Sequence, residues 1–145
     1  MDNIWLRGTD NSGIPQWEKF NKLLLPNAGL HGFAYSGASH NTLCATVTQT
    51  AANSQHTGVI QGAALSYCAE TLANFAAALT VPDGYTVVGQ SLTIHYTRSA
   101  RDSVTATATP VHTGRKTSVW NIGFVDSSAK TVAHATFTGA VLRAG

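Results

Sequence analysis

Val59-Ile60-Gln61-Gly62-Ala63-Ala64-Leu65-Ser66-Tyr67-Cys68-Ala69-Glu70-Thr71-Leu72-Ala73-Asn74-Phe75-Ala76-Ala77-Ala78-Leu79-Thr80 is the stretch that decides the fold. Ala and Leu dominate it and no proline interrupts it, so it is predicted to be one long helix. Pro82-Asp83-Gly84 ends it. Nearly every face of that helix is apolar, as a helix enclosed by protein should be. The chain beyond it changes character. Runs rich in β-branched residues cover 85–98, 103–111, 116–126 and 131–142, with breaks at 99–102, 112–114 and 126–128. Each run alternates apolar and polar types, and the connections are short, which predicts an antiparallel sheet with one covered face. Upstream, 30–36 and 42–50 read as two more strands, with Leu43, Ala45 and Val47 alternating against Cys44, Thr46 and Thr48. Pro15 opens a short amphipathic helix over 16–25, and Pro26-Asn27-Ala28-Gly29 is expected to stop it. Residues 1–14 show no period and read as a loose entry. The expected architecture is α+β: one domain over 1–145, with a long antiparallel sheet wrapped around one central helix.

Composition narrows the function classes. Of 145 residues, 43% are apolar but only 11% are charged, against about 25% in an average soluble domain. Either subunit contacts hide much of the surface, or a Ser/Thr/Asn-rich exterior replaces charge. The first alternative predicts a homodimer or homotetramer. The formal charge of +2 and the absence of any Lys/Arg run longer than two residues point away from nucleic acid. Met1-Asp2-Asn3-Ile4-Trp5 has no basic segment followed by an apolar one, and no apolar run approaches the roughly 20 residues that span a bilayer. A cytoplasmic protein without a membrane partner is expected. Cys44 and Cys68 stand alone; a structural pair, a zinc site and a nucleophile are conceivable, but two small buried hydrophobes fit better.

Glu70 is the most informative residue. It is the only Asp, Glu, Lys or Arg between Lys22 and Asp83. Ser66, Glu70 and Asn74 follow at intervals of four and share one stripe of the helix. A carboxylate on an enclosed helix is costly unless it is hydrogen-bonded or used. Either the stripe faces water and Glu70 solubilises it, or the stripe lines a pocket and Glu70 is a nucleophile or general base with a raised pKa.

The helix start is the second candidate. Asn53-Ser54-Gln55-His56-Thr57-Gly58 leads into a first turn holding Gln61 and Gly62. First-turn N–H groups lack intrahelical partners and suit a developing oxyanion. Glycine there admits a carbonyl oxygen close to the backbone, and Gln55 offers a side-chain donor. Gly62 and Glu70 are eight residues apart, hence about 12 Å along the axis. One reacting carbon cannot touch both within one chain. If both act, the carbonyl is held by one subunit and attacked through another, at a dimer interface.

Arg98 and Arg101 in one turn, and Arg115 and Lys116 following Gly114 in another, form a basic group suited to a polyphosphate; edge protection and ordinary solvated turns are the alternative. The six histidines show no metal-ligand spacing, and no metal is expected; His56 is the one best placed for a site role. No GxSxG motif or phosphate-binding glycine loop is present.

These residues resemble a known family. Gln55, then Gln61-Gly62-Ala63, then Glu70 nine positions after Gln61, is similar to the signature of hot-dog acyl-CoA thioesterases. The branch containing the helix-glutamate 4-hydroxybenzoyl-CoA and dihydroxynaphthoyl-CoA thioesterases is nearest. Val87-Val88-Gly89, Arg98-Ser99-Ala100-Arg101, Pro110-Val111-His112-Thr113-Gly114 and Val119-Trp120 extend the likeness over about residues 40–143. The resemblance implies that Glu70 is the nucleophile or the base that activates water. It implies that the Gly62 N–H polarises the thioester carbonyl with Gln55 in support, and that Asn74 stands where the family often has a hydroxyl residue positioning water. Arg98, Arg101, Gly114, Arg115 and Lys116 would lie near the CoA nucleotide, with coenzyme A entering as part of the substrate and no separate cofactor. An aromatic or polyketide-like acyl group, on CoA or a carrier protein, is the implied substrate. One departure stands out: Gln61 occupies the place of the family's histidine before the glycine. Gln61 donates a hydrogen bond but carries no proton, and His56 lies at a different position. A hot-dog hydratase or dehydratase, or a non-catalytic acyl-CoA-binding protein, are the alternatives.

Overall fold

The computed structural model describes residues 17–21, 24, 26–39 and 42–145. Its elements are α1 (Trp17–Phe20), α2 (Pro26–Leu30), β1 (Phe33–Ser39), β2 (Thr42–Thr48), α3 (Gly62–Ala78), β3 (Tyr85–Tyr96), β4 (Ser103–Thr113), β5 (Thr117–Asp126) and β6 (Thr131–Arg143). The six strands form one sheet in the order β1-β2-β4-β5-β6-β3, and every pairing is antiparallel. This is the α+β arrangement expected, with α3 packed across all six strands.

The period of the sequence explains the packing. On β2, Leu43, Ala45 and Val47 are buried while their neighbours are not; β4 and β5 repeat the pattern with Val104, Ala106, Ala108 and with Trp120, Ile122, Phe124. Against this face α3 turns Ala64, Leu65, Cys68, Ala69, Leu72, Ala73, Ala76 and Ala77. The alanines let the helix approach the sheet closely, and the aromatic residues of β5 and β6 fill the remaining space. Cys44 and Cys68 are free thiols; Cys68 is fully buried, and Cys44 is half-buried beside Thr107.

The opposite face of the sheet carries Thr105, Thr107, Thr109, Asn121 and Thr136. Uncharged polar residues therefore account for part of the low charge. The β3 edge is different. Its 12 residues include no charge and no proline, residues 88–91 are exposed, and no strand among the described residues pairs with its outer side. Exposed edges of this length are normally protected.

Several boundaries differ from expectation: α3 spans Gly62–Ala78 within the expected 59–80, and β1 runs on to Ser39. Pro26 opens α2 instead of ending a single helix, since proline fits a first helical turn. Leu30 consequently belongs to α2, and β1 begins at Phe33. The other part of the expected 16–25 helix that can be compared is α1; residues 1–16, 22, 23 and 25 lie outside the described residues.

Candidate active site

The helix start is held by a polar loop. Asn53 is 1% exposed. Its Nδ2 donates to the His31 and Thr48 carbonyls, both at 2.9 Å, and its Oδ1 accepts from the Thr50 N–H at 2.8 Å. Its own carbonyl accepts from the Gln61 N–H at 2.7 Å. Gln49 Nε2 donates to Ser54 Oγ at 2.9 Å and to the Gly58 carbonyl at 3.2 Å. Gly58 sits at φ +76°, and an added Cβ would lie 2.8 Å from Arg101 Nη1. Asn53→Ala would take the partner from two part-buried carbonyls and one N–H, at a cost of about 3 kcal/mol; a denaturant midpoint lowered by that energy divided by an unchanged slope is the expected result.

This loop leaves the first turn of α3 open. Gln61 is the N-cap, but its side chain makes no capping bond; its Nε2 donates instead to the Ser54 carbonyl at 3.2 Å. The Gly62 N–H consequently has no partner among the described residues. Gln61, expected to serve in catalysis, here braces the loop and lines neither cleft described below.

Two clefts flank α3. The first, about 430 Å³, is lined by Glu70, Thr71 and Asn74 together with Phe20, Tyr35, Tyr67, Phe75 and Val87. The second, about 510 Å³, is lined by Gly62, Gln55, Ile60, Tyr96, Arg98 and Ala100. Gly62 and Glu70 thus open into different clefts, as their separation along the helix requires. The Gln55 side chain has no partner among the described residues, so its amide is available to donate. Tyr96, which sequence reasoning missed, donates its hydroxyl to the Gly62 carbonyl at 3.0 Å and stands 2.5 Å from Ser66 Oγ. A Cβ on Gly62 would come within 3.0 Å of the Tyr96 ring. The glycine therefore leaves this ring the room it occupies.

The stripe on α3 divides between the clefts. Ser66 belongs with Tyr96, whereas Glu70 and Asn74 face the first cleft. Glu70 Oε1 lies 3.3 Å from the place of a Gly89 Cβ, beside the bulge that shifts β3 against β6. Glu70 is exposed in the single chain, yet partial burial raises its carboxyl above the ordinary carboxylate range. Asn74 Oδ1 is buried with no hydrogen-bond partner among the described residues. Tyr35, also missed, brings a phenol into the same cleft from β1.

The basic residues do not gather as the sequence suggested. Arg98 lines the second cleft. It stands near Asp126, whose carboxyl is lowered first by the Lys130 N–H and further by the Arg98 charge. The Arg101 guanidinium is occupied: it donates to the Gly58 carbonyl and, at 3.2 Å, to that of Thr57. Gly114, Arg115 and Lys116 lie at the far end of the β4–β5 hairpin. With 11 residues in β4, that end is roughly 33 Å away at ~3.3 Å per residue. Alternating turns of a meander sit at opposite ends of the sheet, which proximity in sequence conceals. His56 is exposed and does not line the second cleft; His31 stacks on Tyr67 with ring centroids 4.2 Å apart.

Residues 57–133 match the thioesterase superfamily model. The proofreading thioesterase EntH of Cronobacter turicensis is 30% identical over 100 residues, covering 68% of this chain and 73% of that protein. A thioesterase structure from Haemophilus influenzae superposes with a TM-score of 0.84 at 28% identity, covering 88% and 91% of the two chains. A Pseudomonas aeruginosa thioesterase gives 0.85 at 28% identity, covering 90% and 96%. The chain belongs to the thioesterase superfamily, with its hot-dog fold, and is a thioester hydrolase.

Proposed function

We propose that this protein hydrolyses an aromatic acyl-CoA thioester to acid and free thiol in sites shared between two copies. The observation that carries this reading is the division of Glu70 and Gly62 between two clefts. The bare β3 edge supplies a way to reunite them. Glu70 lies beside Gly89, and Gly62 lies beneath Tyr96. Antiparallel pairing of β3 with its copy, about a two-fold axis at Thr93 and with the extra residue of the Gly89/Ser91 bulge left unpaired, sets Gly89 opposite Tyr96 of the partner subunit. Glu70 then faces Gly62 of the partner subunit. The same axis brings Arg115 and Lys116 of one copy to the end of the sheet that carries Arg98 of the other, where a CoA polyphosphate would find both. Dimer and tetramer both satisfy this pairing.

In this reading the Gly62 N–H, with Gln55 beside it, polarises the thioester carbonyl at the open helix start. Glu70 takes a proton from water as the water oxygen bonds to the carbonyl carbon. Collapse of the tetrahedral intermediate breaks the C–S bond, and the thiolate recovers the proton from Glu70. The aromatic walls of the first cleft, Phe20, Tyr35, Tyr67 and Phe75, suit a planar acyl group. No helix among the described residues is long and apolar enough to cross a membrane, and we place the enzyme with its CoA substrate in the cytoplasm.

A thiol-trapping assay over aromatic and aliphatic thioesters, on CoA and on a carrier protein, tests the proposal. Benzoyl-type CoA esters should turn over fastest. A folded oligomer releasing no thiol above background from any of them would end it. Arg98→Ala should raise KM for CoA esters about tenfold with little change in kcat, the effect of one lost charge-assisted phosphate contact; an unchanged KM would remove Arg98 from the CoA site.

A further inference from the structure

Tyr35 is 4% exposed. Its ring is wedged among Phe20, Phe33 and Phe75, with centroids 5.9, 5.0 and 5.3 Å away. Its backbone is fixed by Asn21, whose Oδ1 accepts from the Tyr35 N–H at 2.8 Å and whose Nδ2 donates to the carbonyl at 3.0 Å. The phenol is thus held in place, and its hydroxyl has no hydrogen-bond partner among the described residues. It opens into the cleft that holds Glu70 and Asn74. Burial chiefly, then Cys68, Tyr67 and Glu70, push its pKa upward, so it stays a neutral donor. Asn74 Oδ1 in that cleft is buried and has no partner among the described residues.

Among the polar groups of the cleft, which also include Asn27, Tyr67, Thr71 and Thr86, the Glu70 carboxylate and Asn74 Oδ1 are acceptors and the Tyr35 O–H is a donor with no partner among the described residues. A ligand that meets these three groups together has two donors and one acceptor. A thioester carbonyl offers acceptors alone, and an unsubstituted hydrocarbon ring offers neither. Water fits, and after three hydrogen bonds it keeps one lone pair for attack. We propose that Tyr35 is a further catalytic group, which donates its hydroxyl hydrogen to the attacking water while Glu70 and Asn74 accept the two water protons. This rests on Glu70 acting as the base in the proposed thioester hydrolysis. In the step itself, one water proton passes to Glu70, the water oxygen bonds to the carbonyl carbon, and Tyr35 keeps its own proton.

Tyr35→Phe is the test. Loss of one positioning hydrogen bond should lower kcat about ten- to a hundredfold. KM should move less than twofold, and the loss should be equal for every acyl group. The melting temperature should hold, because phenylalanine fills the same space and breaks no hydrogen bond among the described residues. A structural role would instead lower it. Asn74→Ala combined with Tyr35→Phe should lose less than the product of the single losses, since both variants disturb one water. An unchanged kcat, a loss confined to KM or to hydroxylated acyl groups, a fall in melting temperature, or fully multiplicative losses would each overturn the assignment. Glu70→Gln separates the two levels. If it abolishes turnover while Tyr35→Phe is fully active, the Tyr35 assignment alone fails. If Glu70→Gln is active, the underlying reading of the site fails.

Discussion

Glu70→Gln should lower kcat by about 10³-fold or more, and the variant should melt at a higher temperature than the parent at neutral pH. The two effects share a cause. Burial disfavours the ionised carboxyl and raises its pKa in the folded chain. The folded state then binds this proton more tightly than the unfolded state does. Ionisation of Glu70 consequently costs stability above the raised pKa, and the cost vanishes below the pKa of the unfolded chain. Glutamine keeps the shape and carries no charge, so the melting advantage of the variant should be present at pH 8 and disappear under acid conditions. Activity runs the other way. The base must be ionised, so kcat of the parent should fall with decreasing pH through a value above the ordinary carboxylate range. Melting curves and thiol release across pH check both limbs. A variant that loses activity and stability together would mark Glu70 as structural; unchanged kinetics would remove it from the mechanism.

Much of this was legible because it rests on periodicity. The proline-free run around Glu70 could only be an enclosed helix, and the alternating strands after residue 85 could only cover it with one face. A lone acid in such a helix drew notice for the same reason. The helix spacing of Gly62 and Glu70 also implied that one chain could not bring them together. What escaped depends on contacts between distant elements. Tyr35 reads as one more aromatic residue of a strand until Phe20 and Phe75 close around it. Tyr96 shows its bearing on Gly62 only when β3 crosses the helix start. Arg101 looked like a free cation because nothing in sequence reveals that the carbonyls of residues 57 and 58 face it. Two basic turns seemed adjacent because sequence distance hides the alternation of a meander.

Two inactive variants should restore activity when they share an oligomer. One copy carries Glu70→Gln and retains its helix start. The other keeps Glu70 and carries Gly62→Val, whose branched side chain collides with the Tyr96 ring, already 3.0 Å from a Cβ. It also obstructs carbonyl approach to the N–H. Each homo-oligomer should be inactive, since both of its equivalent sites lack the same half. In a heterodimer one site joins an intact Glu70 to an intact Gly62 of the partner subunit, and the other joins the two damaged halves. Co-expression with two different tags and sequential purification isolates the mixed species. About half of the parental activity per dimer should return, because one of two equivalent sites is whole. Circular dichroism and melting curves of each homo-oligomer establish that both variants fold. The contrast is large, from background to half-maximal, and needs no knowledge of the physiological substrate. If each site were built within one chain, every site in the heterodimer would carry a damaged half, and mixing would restore nothing. That result would leave Glu70 and Gly62 on the same helix with no common substrate atom within reach, because the helix holds them about 12 Å apart whatever surrounds it.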